Sequence, residues 1–346
     1  MRKNKKLKDY WGGGNPSTYN NSLDLVRILA AFQVFFGHMA GHLELPIPID
    51  KRLFRVSHFL NGVPIFFIIS GFLIWFSIAR SENYGQYLNK RFWRIYPELW
   101  VAVIVEITVV AILYHGWVIK QLLLFSFCQG TVFQFWTPDS LRGYGVGTPN
   151  GTLWTIGVMI QFYVVVWLFY KLMQHRKITT WIVGFFVAFA MSWLGEYVTH
   201  NVVNREIIEK LYGQTFIKYF WLFYIGMFIA EFKNMLLPLL QKYWGVFLIM
   251  AFFFFWTGLD LFSGYHLLWS FFLGAGLIGF AYRFPMLSIK PDISYGLFLY
   301  HMTVVNVFVN FGWIENWVYA IPVILISLTL AYLSTITIGR LSYSKK

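Results

Sequence analysis

Residues 27–38 read RILAAFQVFFGH, an apolar run with a guanidinium at one end and an imidazole at the other. Inside a bilayer both groups are costly and persist only where they face protein or water. Whether this run crosses a bilayer therefore decides the fold.

Composition answers the question. Of 346 residues, 58% are hydrophobic, 21% are aromatic and only 12% are charged. An ordinary soluble domain is about a quarter charged. Apolar runs of about 20 residues, enough to cross roughly 30 Å of hydrocarbon, recur along the chain. The expected fold is all-α, a polytopic membrane bundle of about ten transmembrane helices. They fall near 22–42, 61–80, 96–114, 152–172, 178–196, 215–232, 242–259, 263–281, 292–311 and 318–338. Trp and Tyr near the ends of these runs fit interfacial belts.

One transmembrane domain, 22–338, is thus expected between basic tails at 1–21 and 339–346, with no internal repeat. Most of the 28 lysines and arginines fall on the side shared by both tails. That bias puts both termini in the cytoplasm. The net charge of +13 reads as topology rather than nucleic-acid binding. A single cysteine, Cys128, excludes an intrachain disulfide and a multi-cysteine zinc cluster. The N-terminus is too polar for a cleaved signal peptide.

Residues 115–151 do not fit a span. Their apolar stretch LLLFSFCQGTVFQFW reads as a re-entrant or interfacial segment on the outer side. The closing GYGVGTPNGT is expected to be flexible and lacks the Gly-Lys-Ser/Thr of a phosphate loop.

Within the first span, Arg27 and His38 lie about 20° apart around a helix and about 16 Å apart along it. Asp24 and His42 join them within a sector of about 60°. The helix carries one polar seam, with acid and base at the cytoplasmic end and imidazoles toward the outer half. A purely structural account pairs Asp24 with Arg27 and packs His38. The chemical account makes His38 a base toward a hydroxyl, and the shared face favours it.

Other polar points are less specific. Ser70 and Gly71 provide either close helix packing or room for a thin substrate arm. Arg91 and Arg94 share a helix face and serve either as positive-inside anchors or as a phosphate clamp. Glu106 lies well inside apolar sequence, to pair with a base or line a cavity. Gln161 is the inward polar candidate of the fourth span. His301, on one face with Ser294, is a second intramembrane imidazole.

Together these residues resemble the acyltransferase-3 family, multi-pass bacterial enzymes that O-acylate surface glycans. The resemblance rests on Leu23, Asp24, Arg27 and His38 as L-D-x-x-R followed by Arg-x10-His. It rests equally on Ser70-Gly71-Phe72, on Arg91-x-x-Arg94 followed by Ile95-Tyr96-Pro97, and on the late S-Y-x-x-x-L-x-H from Ser294 to His301. The ordered set covers almost the whole chain.

The resemblance implies an integral O-acyltransferase of the plasma membrane, most simply an O-acetyltransferase. It would use cytoplasmic acetyl-CoA or another acyl-CoA and a glycan hydroxyl. No bound cofactor, metal or nucleic acid is expected. His38 carries over as catalytic; Asp24, Arg27, Glu106 and His301, as polar residues of the bundle, are read as its support. Arg91 and Arg94 carry over to the donor, and Ser70, Gly71 and Phe72 to the donor's path. Trp154 and Gln161, in the fourth-span motif, stand on the acceptor side. That motif departs from the family at Met159, where members often have an acid. Either Glu106 or another acid substitutes, or this acceptor does without one. Two alternatives remain: a transporter or flippase for a lipid-linked glycan, and a catalytically lapsed member acting as a scaffold.

Overall fold

The computed structural model describes residues 21–46, 58–259 and 266–340. The two expected tails lie almost wholly outside the described residues, as does the start of the expected span at 263. Among the described residues all regular structure is helical. The helices are α1 (Leu23–His42), α2 (Gly62–Ala79), α3 (Tyr84–Leu113), α4 (Ile119–Gln129), α5 (Trp154–Met173) and α6 (Ile178–Tyr197). They continue with α7 (Glu206–Tyr212), α8 (Phe216–Glu231), α9 (Lys233–Thr257), α10 (Leu267–Arg283), α11 (Ser294–Asn310) and α12 (Trp317–Ser334).

Each expected span overlaps one helix, though α3 and α9 begin about a dozen and about nine residues early. By length and apolarity, 7 can cross a bilayer: α1, α2, α3, α5, α6, α9 and α12. The other three, α8, α10 and α11, have 16 or 17 residues. They are therefore about 24–26 Å long and are mostly buried against their neighbours. The chain is a multi-pass helical membrane protein.

α2 runs through the core and is buried along most of its length. It crosses α8 at two glycines. A Cβ on Gly71 would fall on the Phe223 carbonyl, and one on Gly226 on the Ile68 carbonyl. Small residues let the two backbones touch, as membrane helices require when lipid offers no hydrophobic drive. The Gly62 amide donates to Gln33 Oε1 at 2.9 Å, tying the start of α2 to the late part of α1. The Ser22 amide donates to the Ala281 carbonyl at 2.9 Å, holding the start of α1 to the end of α10.

α3 begins at Tyr84, well before the expected start near 96. The Asn83 side chain accepts from the Gln86 amide at 2.9 Å and caps it. Pro97 therefore sits inside the helix. Arg91 and Arg94 are one turn apart on continuous helix. α4 has 11 residues, about 16 Å, too short to cross. Its Leu123, Leu124 and Phe127 are exposed.

The GYGVGTPNGT run is not loose. Asn306, fully buried on α11, accepts from the Val146 amide at 2.8 Å and donates to the Pro149 carbonyl at 2.8 Å. Asn150 donates to the Leu299 carbonyl at 2.8 Å. Gly145 has φ +53°, and a Cβ there would strike Asn306. The glycines let the chain fold tightly onto α11 instead of making it mobile.

Candidate active site

Two polar contacts join α1 to α11 and to the segment that leads into it. Arg27 Nη2 meets Asp292 Oδ2 at 2.7 Å, and His38 Nδ1 meets His301 Nε2 at 3.0 Å. The spacings between them are about 16 Å on α1 and about 13 Å toward α11 at 1.5 Å per residue. The helices therefore lie parallel and in register, and the polar seam of α1 is matched by one on its neighbour.

The hydrogen bonds fix the protons of the histidine pair. His301 Nδ1 faces the Leu297 carbonyl at 2.9 Å. A carbonyl only accepts, so this nitrogen carries hydrogen. With neutral rings, His301 Nε2 is then the acceptor and His38 Nδ1 the donor. The lone pair of His38 is left on Nε2. His301 is fully buried, whereas His38 is partly open. The two rings lie edge to edge, parallel to within 6° with centres 5.3 Å apart, and the His42 ring lies 5.8 Å from that of His38 at 20°.

His38 opens onto an outer cavity of about 380 Å³, with Gln33, His58, Asn61, Thr152 and Trp154 among its walls. A middle cavity of about 180 Å³ is walled by Arg27, Ser70, Arg91, Arg94, Met159 and Tyr163. Val63, Thr155 and Phe298 line both, so the two cavities adjoin at these three side chains, the neck. Leu73 is in turn shared between the middle cavity and an inner one of about 450 Å³. Three cavities thus succeed one another along α2.

The middle cavity is cationic. Arg91 donates to Ser77 Oγ at 2.6 Å and lies 5.9 Å from the Tyr87 and Tyr163 ring centres. Arg27 is held by Asp292, not by Asp24 as a purely structural account of α1 expects. Asp24 turns away to accept from Ser288 Oγ at 2.6 Å and to pair with Lys290 at 3.2 Å. Burial raises the Asp292 carboxyl, but Arg27, Ser294 and Arg94 together hold it below its usual range.

Residues 20–336 match the acyltransferase domain family. The chain belongs to the acyltransferase-3 family. It is 28% identical over 334 residues to Nodulation protein 10 of Rhizobium leguminosarum bv. viciae, covering 87% of each chain. It is 25% identical over 310 residues to an O-acetyl transferase of Shigella phage Sf6, covering 84% of this chain and 86% of that one. A stretch of 115 residues is 27% identical to the peptidoglycan O-acetyltransferase OatA of Listeria monocytogenes, covering 30% of this chain and 18% of that one. No solved structure matches. The protein is a membrane O-acyltransferase, and the reaction class is acyl transfer rather than transport.

The acyltransferase-3 motifs do not all gather in one place. His38, Arg27, Ser70, Arg91, Arg94 and Trp154 line the outer or middle cavity. His301 stands directly behind His38. Gly71 serves the α2–α8 contact, and Phe72 is buried edge-on against Phe76 and Tyr282. Gln161 is spent on α8: it accepts from the Phe216 amide at 2.9 Å and donates to the Gln214 carbonyl at 2.7 Å. Glu106 is 1% exposed, with neither oxygen hydrogen-bonded, and lies near Tyr144 rather than on a cavity wall. It is not placed to stand in for the acid that Met159 replaces.

Reading from sequence missed Asp292, Gln33, Asn150 and Asn306. Each is polar beside or within an apolar helix, and that was the only signal available. Their partners are about 30 to 265 residues away along the chain, so no local spacing reveals them.

Proposed function

We propose that this acyltransferase moves an acyl group, acetyl in the simplest case, from acyl-CoA to a glycan hydroxyl across a bacterial plasma membrane. The donor enters from the side of both termini, the cytoplasm, and the acceptor waits on the far side. The observation that carries the reading is the neck at Val63, Thr155 and Phe298, with His38 beyond it and the arginine-lined cavity before it. A thioester delivered to that neck is presented to one free imidazole lone pair.

The two cavities differ as the two substrates do. Arg91 and Arg94 offer guanidinium forks to phosphate oxygens. Ser70, small among bulky neighbours, keeps the wall thin beside them. On the other side an indole and amide side chains meet, the chemistry that sugars use: a flat apolar face and hydrogen-bond partners for hydroxyls. Relatives named for O-acetyl transfer, one of them to peptidoglycan, support an acetyl donor and a glycan acceptor.

The chemistry rests on the proton arrangement. The acceptor oxygen attacks the thioester carbonyl carbon while His38 Nε2 takes its proton. His38 Nδ1–H stays on His301 Nε2, and the bond becomes charge-assisted as the imidazolium forms. The C–S bond then breaks, and the departing sulfur recovers the proton from Nε2. The same lone pair could instead attack the thioester and carry the acyl group on Nε2 before passing it on. Both routes need the same geometry.

The test is surface-glycan mass spectrometry from cells with and without the gene, together with transfer from labelled acetyl-CoA in isolated membranes. Loss of an acyl ester with the glycan intact is expected. Loss of the whole glycan, or no transfer from acyl-CoA, overturns the reading.

A further inference from the structure

The inner cavity has no role in the chemistry above. It lies between the end of α2, the start of α9 and the end of α10. Arg80 and Lys233 contribute its cations, Asn21, Asn234 and Gln241 its amides, and Phe76 and Tyr282 its rings. Among the described residues no carboxylate lines it. Lys233 is 6% exposed, with Nζ 5.4 Å from the Phe76 ring centre. Arg80 donates Nε to the Phe76 carbonyl at 3.1 Å and feels the charge of Arg91 across the α2–α3 corner. Two cations, one of them buried, around an acid-free hollow form a site for a polyanion. Amides and rings beside them suit a purine.

Distance along α2 says which polyanion. From Val63 at the neck to Leu73, the wall of the inner cavity, is about 15 Å at 1.5 Å per residue. A pantetheine arm has about thirteen bonds from sulfur to phosphorus. At the roughly 1.2 Å per bond of an extended chain it spans about 15 Å. With the thioester at the neck, the first phosphate arrives near Leu73 and Arg91, and the nucleotide beyond it lies level with Phe76 and Arg80.

We propose that the inner cavity seats the nucleotide end of the donor, with Arg80 and Lys233 gripping its 3′-phosphate and Phe76, Tyr282, Asn234 and Gln241 receiving the adenine. The assignment rests on the acyl-CoA reading and extends it. The middle and inner cavities form one extended donor path, and the outermost phosphate recognises the donor furthest from the reacting carbon. The protein then distinguishes CoA from dephospho-CoA at a point about 25 Å from the neck. Anionic lipid headgroups share the phosphate chemistry, so the experiment separates the two sources.

Binding of CoA, dephospho-CoA and adenosine 3′,5′-bisphosphate is measured by calorimetry on the full chain in zwitterionic nanodiscs. Wild type should bind CoA about tenfold or more tightly than dephospho-CoA, the worth of one charge-assisted hydrogen bond. Lys233→Gln and Arg80→Gln should each weaken CoA toward the dephospho-CoA level while leaving dephospho-CoA unchanged. Arg80 is exposed at the helix end, so its replacement keeps the test open if Lys233→Gln lowers the yield. Wild-type CoA affinity in both variants overturns the assignment but leaves the acyl-CoA reading standing. No CoA binding to wild type overturns both. Loss of bisphosphate binding when phosphatidylglycerol is added to the nanodiscs gives the cavity to a lipid headgroup and overturns the assignment.

Discussion

His38 Nδ1 and His301 Nε2 meet at 3.0 Å with their rings parallel to within 6°. Because the far nitrogen of His301 is bound to the Leu297 carbonyl, the pair has one proton arrangement with neutral rings. It leaves the free lone pair of His38 on Nε2. In the proposed chemistry His301 takes the place that a carboxylate holds in a catalytic triad, but offers a neutral acceptor.

The first prediction separates base from packing at His38. His38→Gln keeps a hydrogen bond to His301 but cannot take a proton. Acyl transfer in membranes should fall by about 10²–10⁴-fold or more, with acyl-CoA binding unchanged. Full activity would remove His38 from the chemistry. If the Gln variant is inactive, a labelled wild-type adduct trapped without acceptor, and absent in the variant, would favour an acyl-histidine.

In the proposed chemistry His301 acts through His38, so its variants should grade. His301→Gln retains an acceptor for His38 Nδ1 and should keep more activity than His301→Leu. Both should bind donor normally, and the loss should fall on kcat rather than KM. Equal losses in the two variants, or a loss confined to KM, would contradict the positioning role.

At the middle cavity, replacing Arg91 and Arg94 together by Ala should weaken acyl-CoA binding if the proposed donor site is right. Removing each charge-assisted hydrogen bond should cost about 1.5–3 kcal/mol. Lysine at both positions should restore binding only in part, because the guanidinium fork is gone. Complete rescue by lysine would mean that the pair serves topology alone.

The exchange of partners at the start of α1 is testable by a double-mutant cycle. Arg27→Gln and Asp292→Asn should show a coupling of about 0.5–3 kcal/mol, whereas Arg27→Gln and Asp24→Asn should be near additive. Asp292 is held below its usual range in the fold, so its contribution is present at neutral pH. It is lost as pH falls through and below that range. Asp292→Asn should flatten the acid limb of the thermal-stability profile.

Gly226→Ala should destabilise the protein by more than about 2 kcal/mol, since its Cβ would fall on the Ile68 carbonyl. Gly245→Ala, where a Cβ meets nothing within 4 Å, should be neutral or slightly stabilising. Thermal unfolding in detergent reads both, and similar behaviour would refute the close α2–α8 crossing.

Hydropathy alone was enough to place ten helices, because a bilayer demands long apolar runs and the demand is local in sequence. The same locality made the seam of α1 legible: Asp24, Arg27, His38 and His42 share a face through helical geometry that needs no partner. Motif order then fixed the family. Pairings between distant segments obeyed no such rule. Asp292 displaced Asp24 as the partner of Arg27, and His301 came to stand behind His38, through the docking of α11 on α1. Gly71 and Phe72 became packing residues because neighbouring helices pass against them, and Gln161 was drawn to the start of α8 in the same way. The GYGVGTPNGT run looked loose by composition but is held by Asn306. A side chain's type and helical phase are properties of its own segment. Which cavity it faces depends on which other helices dock there, and only their packing in three dimensions settles that.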